Sequence, residues 1–179
     1  TTWIARADSD HINMINRFEK QIRIAKKGID VIGSNIIEIA SEREFPNLTK
    51  KVPSSHEDIK NYMKFRNPIN HMTSFIRTKN ILKVGGYPNI YLREDYGLWA
   101  KMIAEGSRFY NINENLVHAN GGYKLIKRRN GFKSFIAELH LQFFLYKNNI
   151  KPFYLSIIHF LIRGFAFLLP SHILKFLYI

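Results

Sequence analysis

The chain has 179 residues, a length that suits one domain with a substantial core and an appendage. Its hydrophobic content of 46% and aromatic content of 14% exclude a disordered chain, and the absence of cysteine excludes disulfides and thiolate metal sites. The net charge is +13, and from Asn120 onward nine basic residues stand against one acidic residue, Glu138. Because the same stretch is rich in Phe, Leu and Ile, it predicts contact with an anionic membrane surface rather than with nucleic acid.

The first acidic motif follows an apolar run at the start of the chain. Residues 2–7 predict the end of a strand that leads Asp8 and Asp10 into a loop. In open α/β sheets ligands bind beyond the carboxyl ends of strands, and an Asp-x-Asp there suits a divalent cation and the diphosphate that it neutralises. Because the sequence opens within this strand and without an initiator Met, we expect it to be the carboxyl-terminal piece of a longer polypeptide.

The next elements are read from apolar periodicity and from turn residues. Residues 13–27 predict a helix that is ended by Gly28, and its apolar face is formed by Ile15, Phe18, Ile22 and Ala25. Residues 31–32 and 36–39 predict two short strands separated by Gly33-Ser34-Asn35. Residues 41–54 are polar, contain two prolines and predict a loop.

Capping and breaking residues define the middle of the chain. Ser55 and Asp58 have the spacing of a capping box, which predicts a helix that continues to Phe65. Asn67-Pro68 ends it, and residues 72–77 are strand-like. Thr78 is expected to cap a short helix that ends at Gly85-Gly86.

A second acidic motif, Glu94-Asp95, begins the next predicted helix. Asp95 has the helical spacing of an apolar face that is formed by Leu98, Trp99, Met102 and Ile103. One interpretation is a carboxylate that favours the helix dipole and caps backbone amides. The other is a functional group, because a carboxylate on the inward side of a helix suits proton transfer.

Two long apolar stretches, residues 131–146 and 152–179, close the chain. Residues 153–169 approach the length of a membrane span but include His159 and Arg163, and a central arginine is costly in hydrocarbon. We therefore predict amphipathic helices that lie in the membrane interface. The alternative is an ordinary helix packed against the domain.

Several blocks in order resemble one known family. Residues 4–21, which contain Asp8 and Asp10, resemble the Asp-x-Asp segment of family 2 inverting glycosyltransferases, the bacterial enzymes that assemble polysaccharide and lipopolysaccharide sugars. The later blocks are Arg66-Asn67-Pro68-Ile69-Asn70-His71-Met72-Thr73, Gly85-Gly86-Tyr87, Glu94-Asp95-Tyr96-Gly97-Leu98-Trp99 and the basic block Tyr123-Lys124-Leu125-Ile126-Lys127-Arg128-Arg129. The sequence departs from the family pattern at His11 and Gly97, where an Asp is common.

The resemblance implies an α/β fold, a partial GT-A-like (nucleotide-diphosphosugar transferase) α/β/α sandwich with carboxyl-terminal amphipathic helices. Residues 1–133 would form the second half of this domain, and residues 134–179 a helical, membrane-associating tail. The half that grips the nucleotide base and ribose would precede Thr1. We therefore expect the fragment alone to be inactive and to bind the donor poorly.

The resemblance also implies a role for each matched residue. Asp10 and Asp8 would hold Mn²⁺ or Mg²⁺, with Asp8 also against the donor ribose, and the metal would stabilise charge on the departing diphosphate. Asp95 would be the general base for in-line attack with inversion, and Glu94 would support it. The basic residues Lys127, Arg128 and Arg129 would contact the diphosphate, unless they form a solvated or lipid-facing patch. His71 would lie near the donor, unless its role is structural.

The implied partners are a nucleotide-sugar donor (a UDP-, GDP- or dTDP-sugar), a lipid-linked or growing glycan acceptor and an anionic membrane surface. The implied location is peripheral, at the cytoplasmic face of the inner membrane. Two other functions compete: a glycoside hydrolase, which needs two carboxylates but no diphosphate site, and a non-enzymatic membrane-binding module. The second leaves Asp8, Asp10, Glu94 and Asp95 without a role.

Overall fold

A computed structural model describes residues 2–40, 47–121 and 130–169. Lys127, Arg128, Arg129 and residues 170–179 lie outside the described residues, so the predictions made for them stay predictions. The strands are β1 (Trp3–Ala5), β2 (Ile12–Asn13), β3 (Val31–Ala40), β4 (Leu48–Lys50), β5 (Phe75–Arg77) and β6 (Phe109–Gly121). The helices are α1 (Arg17–Ala25), α2 (His56–Met63), α3 (Thr78–Lys83), α4 (Glu94–Ala104), α5 (Phe132–Lys147) and α6 (Phe153–Ala166), with a 3₁₀ turn at His71–Thr73.

One mixed sheet joins all the strands of the described segments. Its order is β1-β5-β3-β6-β2, and β4 pairs with β3. The long strands β3 and β6 run parallel, from Val31 opposite Phe109 to Ala40 opposite Gly121, and every other pairing is antiparallel. This order places the end of β1 near β5, and the strand β2 that follows the Asp-x-Asp loop against the end of β6.

Strand β3 corrects the prediction of two strands broken at Gly33-Ser34-Asn35. It is one continuous strand, with a register irregularity at Ser34 and Asn35. The polar side chains are tolerated because Asn35 bonds outside the strand: its Oδ1 accepts from Val52 N at 2.9 Å and its Nδ2 donates to Asn113 Oδ1 at 3.0 Å. The predicted loop at 41–54 likewise contains the short strand β4 within its described part.

Helix α1 begins later than predicted, because residues 12–13 form β2. Phe18 and Ile22 of this helix are exposed, as is Ile15 before it, whereas Arg17 and Gln21 are fully buried beside Ala25. Of the apolar face predicted from the sequence, only Ala25 is therefore on the packed side. Hydrogen bonds hold the packed face instead, and Gln21 Nε2 donates to Thr73 O at 2.7 Å.

The two middle helices test the predicted caps. Ser55 caps α2, because its Oγ accepts from Asp58 N at 3.2 Å, as the capping box predicted. Thr78 does not cap α3: it is the first residue of that helix, and its Oγ1 is buried without a hydrogen bond in the structure. The strand-like run at 72–77 is a 3₁₀ turn followed by β5.

The main core lies between the sheet and the carboxyl-terminal helices. Trp99, Leu98 and Met102 of α4 are fully buried there with Leu141 and Leu145 of α5. The helical phase predicted for α4 is therefore correct. None of the helices in the described part of the chain combines the length and apolar character that crossing a bilayer requires.

Candidate active site

The Asp-x-Asp loop leaves the end of β1 and is held by β6. Asp8 Oδ1 accepts from Arg6 Nε at 2.9 Å. Asn120, near the end of β6, donates from Nδ2 to the backbone oxygen of Asp10 at 2.9 Å. The Asp10 carboxylate remains 63% exposed, so the loop is fixed while this side chain stays open to a ligand.

His11 lies between the two carboxylates. Its Nδ1 is 3.4 Å from Asp8 Oδ2, and its Nε2 is 3.7 Å from Asp10 Oδ1. Within residues 2–40, 47–121 and 130–169, no group of three or more histidine or acidic side chains is arranged to hold a metal ion. Two carboxylates nevertheless suit Mg²⁺ or Mn²⁺ when substrate phosphates and water supply the other ligands.

Asp95 lies in the first turn of α4, half-buried, and Glu94 beside it is exposed. Asn67 Nδ2 donates to Asp95 Oδ2 at 2.7 Å, which fixes the carboxylate and leaves Oδ1 for another partner. The buried Tyr96 anchors the same turn because its hydroxyl donates to Met63 O. The carboxylate is therefore oriented by an amide and carried on a rigid helix.

His71 joins the two acidic motifs. Its Nε2 is 3.3 Å from a terminal nitrogen of Arg6, which pairs with Asp8, and 3.0 Å from the hydroxyl of Tyr87. Its ring also packs edge-on against Trp99 of α4, with the ring centroids 5.9 Å apart. Because arginine can only donate, Nε2 must accept, which requires a neutral imidazole protonated at Nδ1.

The electrostatics agree with a neutral His71. Burial lowers the pKa of its imidazole below the usual range, and Arg6 adds to this, whereas the carboxylates of Asp95, Asp8 and Glu94 oppose it. Separately, burial raises the pKa of Tyr87, so its phenol stays protonated and can donate to His71.

The structure thus links the two acidic motifs through His71, which contacts Arg6 beside the Asp-x-Asp loop and Trp99 of α4. Asp8 pairs with Arg6, and the exposed Asp10 lies at the outer end of the same loop. Sequence reasoning assigned no role to Arg6, Asn67 or Tyr87, although each stands within a motif that it singled out. What the sequence did offer for these three residues was their place inside those motifs. The contacts themselves join residues far apart in the chain and leave no local pattern.

No family model matches the chain. It is 37% identical over 177 residues to a UDP-Gal:alpha-D-GlcNAc-diphosphoundecaprenol beta-1,3-galactosyltransferase of Escherichia coli, covering 98% of this chain and 64% of the relative. It is 32% identical to an uncharacterized glycosyltransferase of Haemophilus influenzae and 29% identical to the amylovoran biosynthesis glycosyltransferase AmsE of Erwinia amylovora, in each case covering 98% of this chain and 66% of the relative. The chain therefore spans just under two thirds of the length of these relatives.

Among solved structures, the first 349 residues of S. aureus TarS align with a TM-score of 0.56 at 13% identity, over 93% of this chain and 48% of that chain. The same TarS segment in complex with UDP-GlcNAc aligns with a TM-score of 0.55. The fold is GT-A-like. Curated relatives along nearly the whole chain are named glycosyltransferases, including a galactosyltransferase, which supports the sugar-transferase class predicted from the sequence.

Proposed function

We propose that this chain carries the diphosphate-binding loop and the acceptor side of an inverting glycosyltransferase of family 2, which transfers a sugar from a UDP-sugar to a lipid-linked diphosphate-sugar acceptor. The observation that carries the proposal is the convergence of the Asp-x-Asp loop and the Glu94-Asp95 turn on His71. A transferase needs a group that binds the leaving diphosphate and a base for the acceptor hydroxyl, at the two ends of one site. The UDP-sugar and the lipid-linked acceptor are chosen by similarity to the galactosyltransferase relative and to the TarS complex.

In the proposed reaction, Asp95 takes the proton of the acceptor hydroxyl as the hydroxyl oxygen attacks the anomeric carbon of the donor. The new carbon–oxygen bond forms as the bond to the diphosphate breaks on the opposite face, so the configuration inverts and UDP leaves. Asn67 orients Asp95 through its 2.7 Å hydrogen bond, and Glu94, exposed beside it, contacts the acceptor.

Asp10 and Asp8 would hold a divalent cation, and the exposed carboxylate of Asp10 has the oxygen chemistry that Mg²⁺ and Mn²⁺ prefer. When bound, the cation would neutralise the charge that develops on the leaving diphosphate. Lys127, Arg128 and Arg129 are proposed to contact the same diphosphate. Neutral His71 lacks a charge of its own and is proposed to hold Arg6 and Tyr87 beside the donor.

The helices α5 and α6 are proposed to place this site at the cytoplasmic face of the inner membrane. Helix α6 is apolar on its outer side: the exposed residues include Phe153, Ile158, Ile162 and Phe165. Its side toward α5 combines polar and aromatic contacts: Arg163 bonds to the buried Glu138, and Phe160 packs on Phe135 with the ring centroids 5.1 Å apart. The exposed apolar side of α6 fits insertion into the interface of an anionic membrane.

The experiment uses the full-length protein with radiolabelled UDP-galactose, Mn²⁺ and a short-chain GlcNAc-diphospholipid. Asp95→Asn should abolish transfer but keep metal-dependent UDP binding, and Asp10→Asn should lose both, because the two residues serve different steps. Glu57→Gln, an exposed acid of α2, is the matched control. If Asp95→Asn retains full activity, the assignment of the base is wrong. If the wild-type protein binds UDP-galactose but transfers no sugar, the proposed acceptor is wrong. If Asp10→Asn binds UDP as tightly as wild type does, the assignment of the donor site is wrong, and the alternative of a membrane-binding module is favoured.

A further inference from the structure

A buried carboxylate outside the candidate site joins three helices. Glu138 of α5 is fully buried and accepts hydrogen bonds from Arg93 Nε at 3.2 Å, Arg163 Nε at 3.0 Å and Gln142 Nε2 at 2.7 Å. We call these four residues the Glu138 cluster. It is the point at which the α5–α6 hairpin contacts the start of α4 through charged groups.

Arg93 gives this cluster a direct connection to the site. It immediately precedes α4 and stands two positions before Asp95. Its Nη1 donates to Leu92 O at 3.2 Å, and Leu92 has a φ of 52°, a left-handed conformation that leucine rarely adopts. Such a conformation persists only where its surroundings hold it, so the backbone that enters α4 is held by the side chain that Glu138 binds.

From this geometry we infer that Glu138 is a positioning residue, which holds the Glu94-Asp95 turn in place through Arg93. The inference rests on the proposed function of Asp95 as the base. Other contacts also hold this turn: Tyr96 bonds to Met63, and Gly97 packs on Pro88. The next residues of α4 lie in the main core together with Leu141 of α5. Arg93 adds a charged restraint from the hairpin at the residue that precedes α4.

The charges of the cluster make this restraint directional. Burial alone would raise the pKa of Glu138, but Arg163, Arg93 and the hydrogen bond from Gln142 outweigh it, so the pKa lies below the usual range and the group is ionised. An apolar cluster of the same volume could pack as stably. It would not fix the orientation of Arg93, however, because dispersion contacts have no preferred direction.

The test compares Glu138→Gln with wild type in the full-length protein, because the amide keeps the volume and removes the charge. Amide hydrogen exchange at Gly97 and Leu98, whose N–H groups close the first turn of α4, should accelerate about 10-fold or more relative to exchange at Val31 in the sheet. With UDP-galactose and the GlcNAc-diphospholipid, kcat should fall about 10-fold or more, while KM for UDP-galactose stays within about twofold, because the donor binds at the other motif.

Two further variants distinguish the loss of this particular restraint from a general effect of changing the charge of the hairpin. Lys147→Met removes an exposed cation from the same hairpin and should change neither measurement. Arg93→Lys keeps the charge that faces Glu138 but loses the planar fork, and should reproduce the fall in kcat. If Glu138→Gln does not fold, the effect of Arg93→Lys on kcat tests the inference instead.

The inference is overturned if exchange in α4 is unchanged in Glu138→Gln, or if all elements lose protection equally while kcat is retained. Exchange is measured without substrate, so it separates this inference from the proposed function. Local acceleration in a protein that transfers no sugar would uphold the restraint on the turn and overturn the role in catalysis.

Discussion

His71 is a half-buried imidazole that links two acidic motifs lying far apart in the chain. Its Nε2 meets Arg6 and Tyr87, and its ring meets Trp99. The sequence indicated that His71 lay near the site but could not show which partners it had. The roles of all the candidate site residues stay predictions until variants are assayed.

The protonation of His71 predicts a dependence of stability on pH. Its pKa in the folded state lies below 6.5, the value expected for an exposed histidine, chiefly because of burial. As the pH is lowered below 6.5, the unfolded chain binds this proton and the folded chain does not. The free energy of unfolding therefore decreases as the pH decreases, until the pKa of His71 in the folded state is reached. His71→Gln should therefore reduce the loss of stability between pH 7 and about pH 5.5 in urea unfolding.

The slope is the quantity to compare, because the substitution also removes hydrogen bonds. His56 and His159 also have a lowered pKa, chiefly through burial, so part of the slope remains in His71→Gln. An identical slope in His71→Gln and wild type would contradict the neutral state assigned to His71.

At the scale of elements, sequence prediction succeeded where apolar periodicity determines the helix or strand and failed where buried polar groups determine it. The phase of α4 follows from apolar spacing, the apolar stretch at 131–146 coincides with α5, α6 falls within the stretch at 152–179, and Ser55 marks the start of α2. Strand β6 was not predicted, because Asn111 and its polar neighbours interrupt the alternation of a strand. Asn111 is fully buried, and its Nδ2 donates to Pro53 O at 2.6 Å and to Pro68 O at 2.9 Å. Such partners come from distant loops, so the sequence nearby does not reveal them.

Gly97 in α4 gives an element-scale prediction. In an open helix, Gly→Ala is stabilising by about 1 kcal/mol. Here a Cβ would lie 2.4 Å from Pro88 Cγ and 3.3 Å from Ile90 Cδ1, and the ring of Pro88 cannot rotate away. Gly97→Ala should therefore lower the free energy of unfolding by about 1–3 kcal/mol, measured by urea unfolding.

The control is Ala104→Gly at the exposed end of the same helix, where the opposite change should cost about 1 kcal/mol. Pro88 follows Tyr87, so a shift of this loop also moves a partner of His71. A stabilised Gly97→Ala protein would show that the loop yields, and that α4 is not tightly packed against it.

At the scale of the whole molecule, the net charge of +13 and the exposed apolar side of α6 both favour binding to an anionic membrane. We predict that the full-length protein sediments with vesicles of phosphatidylglycerol and phosphatidylethanolamine. Raising the salt from about 0.1 M to about 0.5 M should weaken this binding without abolishing it, because salt screens charge but not apolar burial. The double substitution Ile158→Ser/Ile162→Ser should abolish it.

Leu82→Ser is the matched control, because Leu82 of α3 is 73% exposed but lies on another helix. It should leave binding to vesicles unchanged. Equal binding by the double variant and by wild type would remove the case for α6 as the membrane contact. Equal loss in Leu82→Ser would point to general unmasking of apolar surface instead.

The Glu138 cluster also constrains how this protein can change over generations. Arg93, Glu138 and Arg163 stand far apart in the chain, but both arginines pair with the one buried carboxylate. Replacing Glu138 alone would leave the two guanidinium groups without that counterion, whereas a concerted replacement of all three residues by apolar ones would not. An evolutionary route that loses the cluster must therefore pass through a destabilised intermediate or change several positions together. The three positions are expected to be inherited as a block, each tolerating little variation while the other two remain.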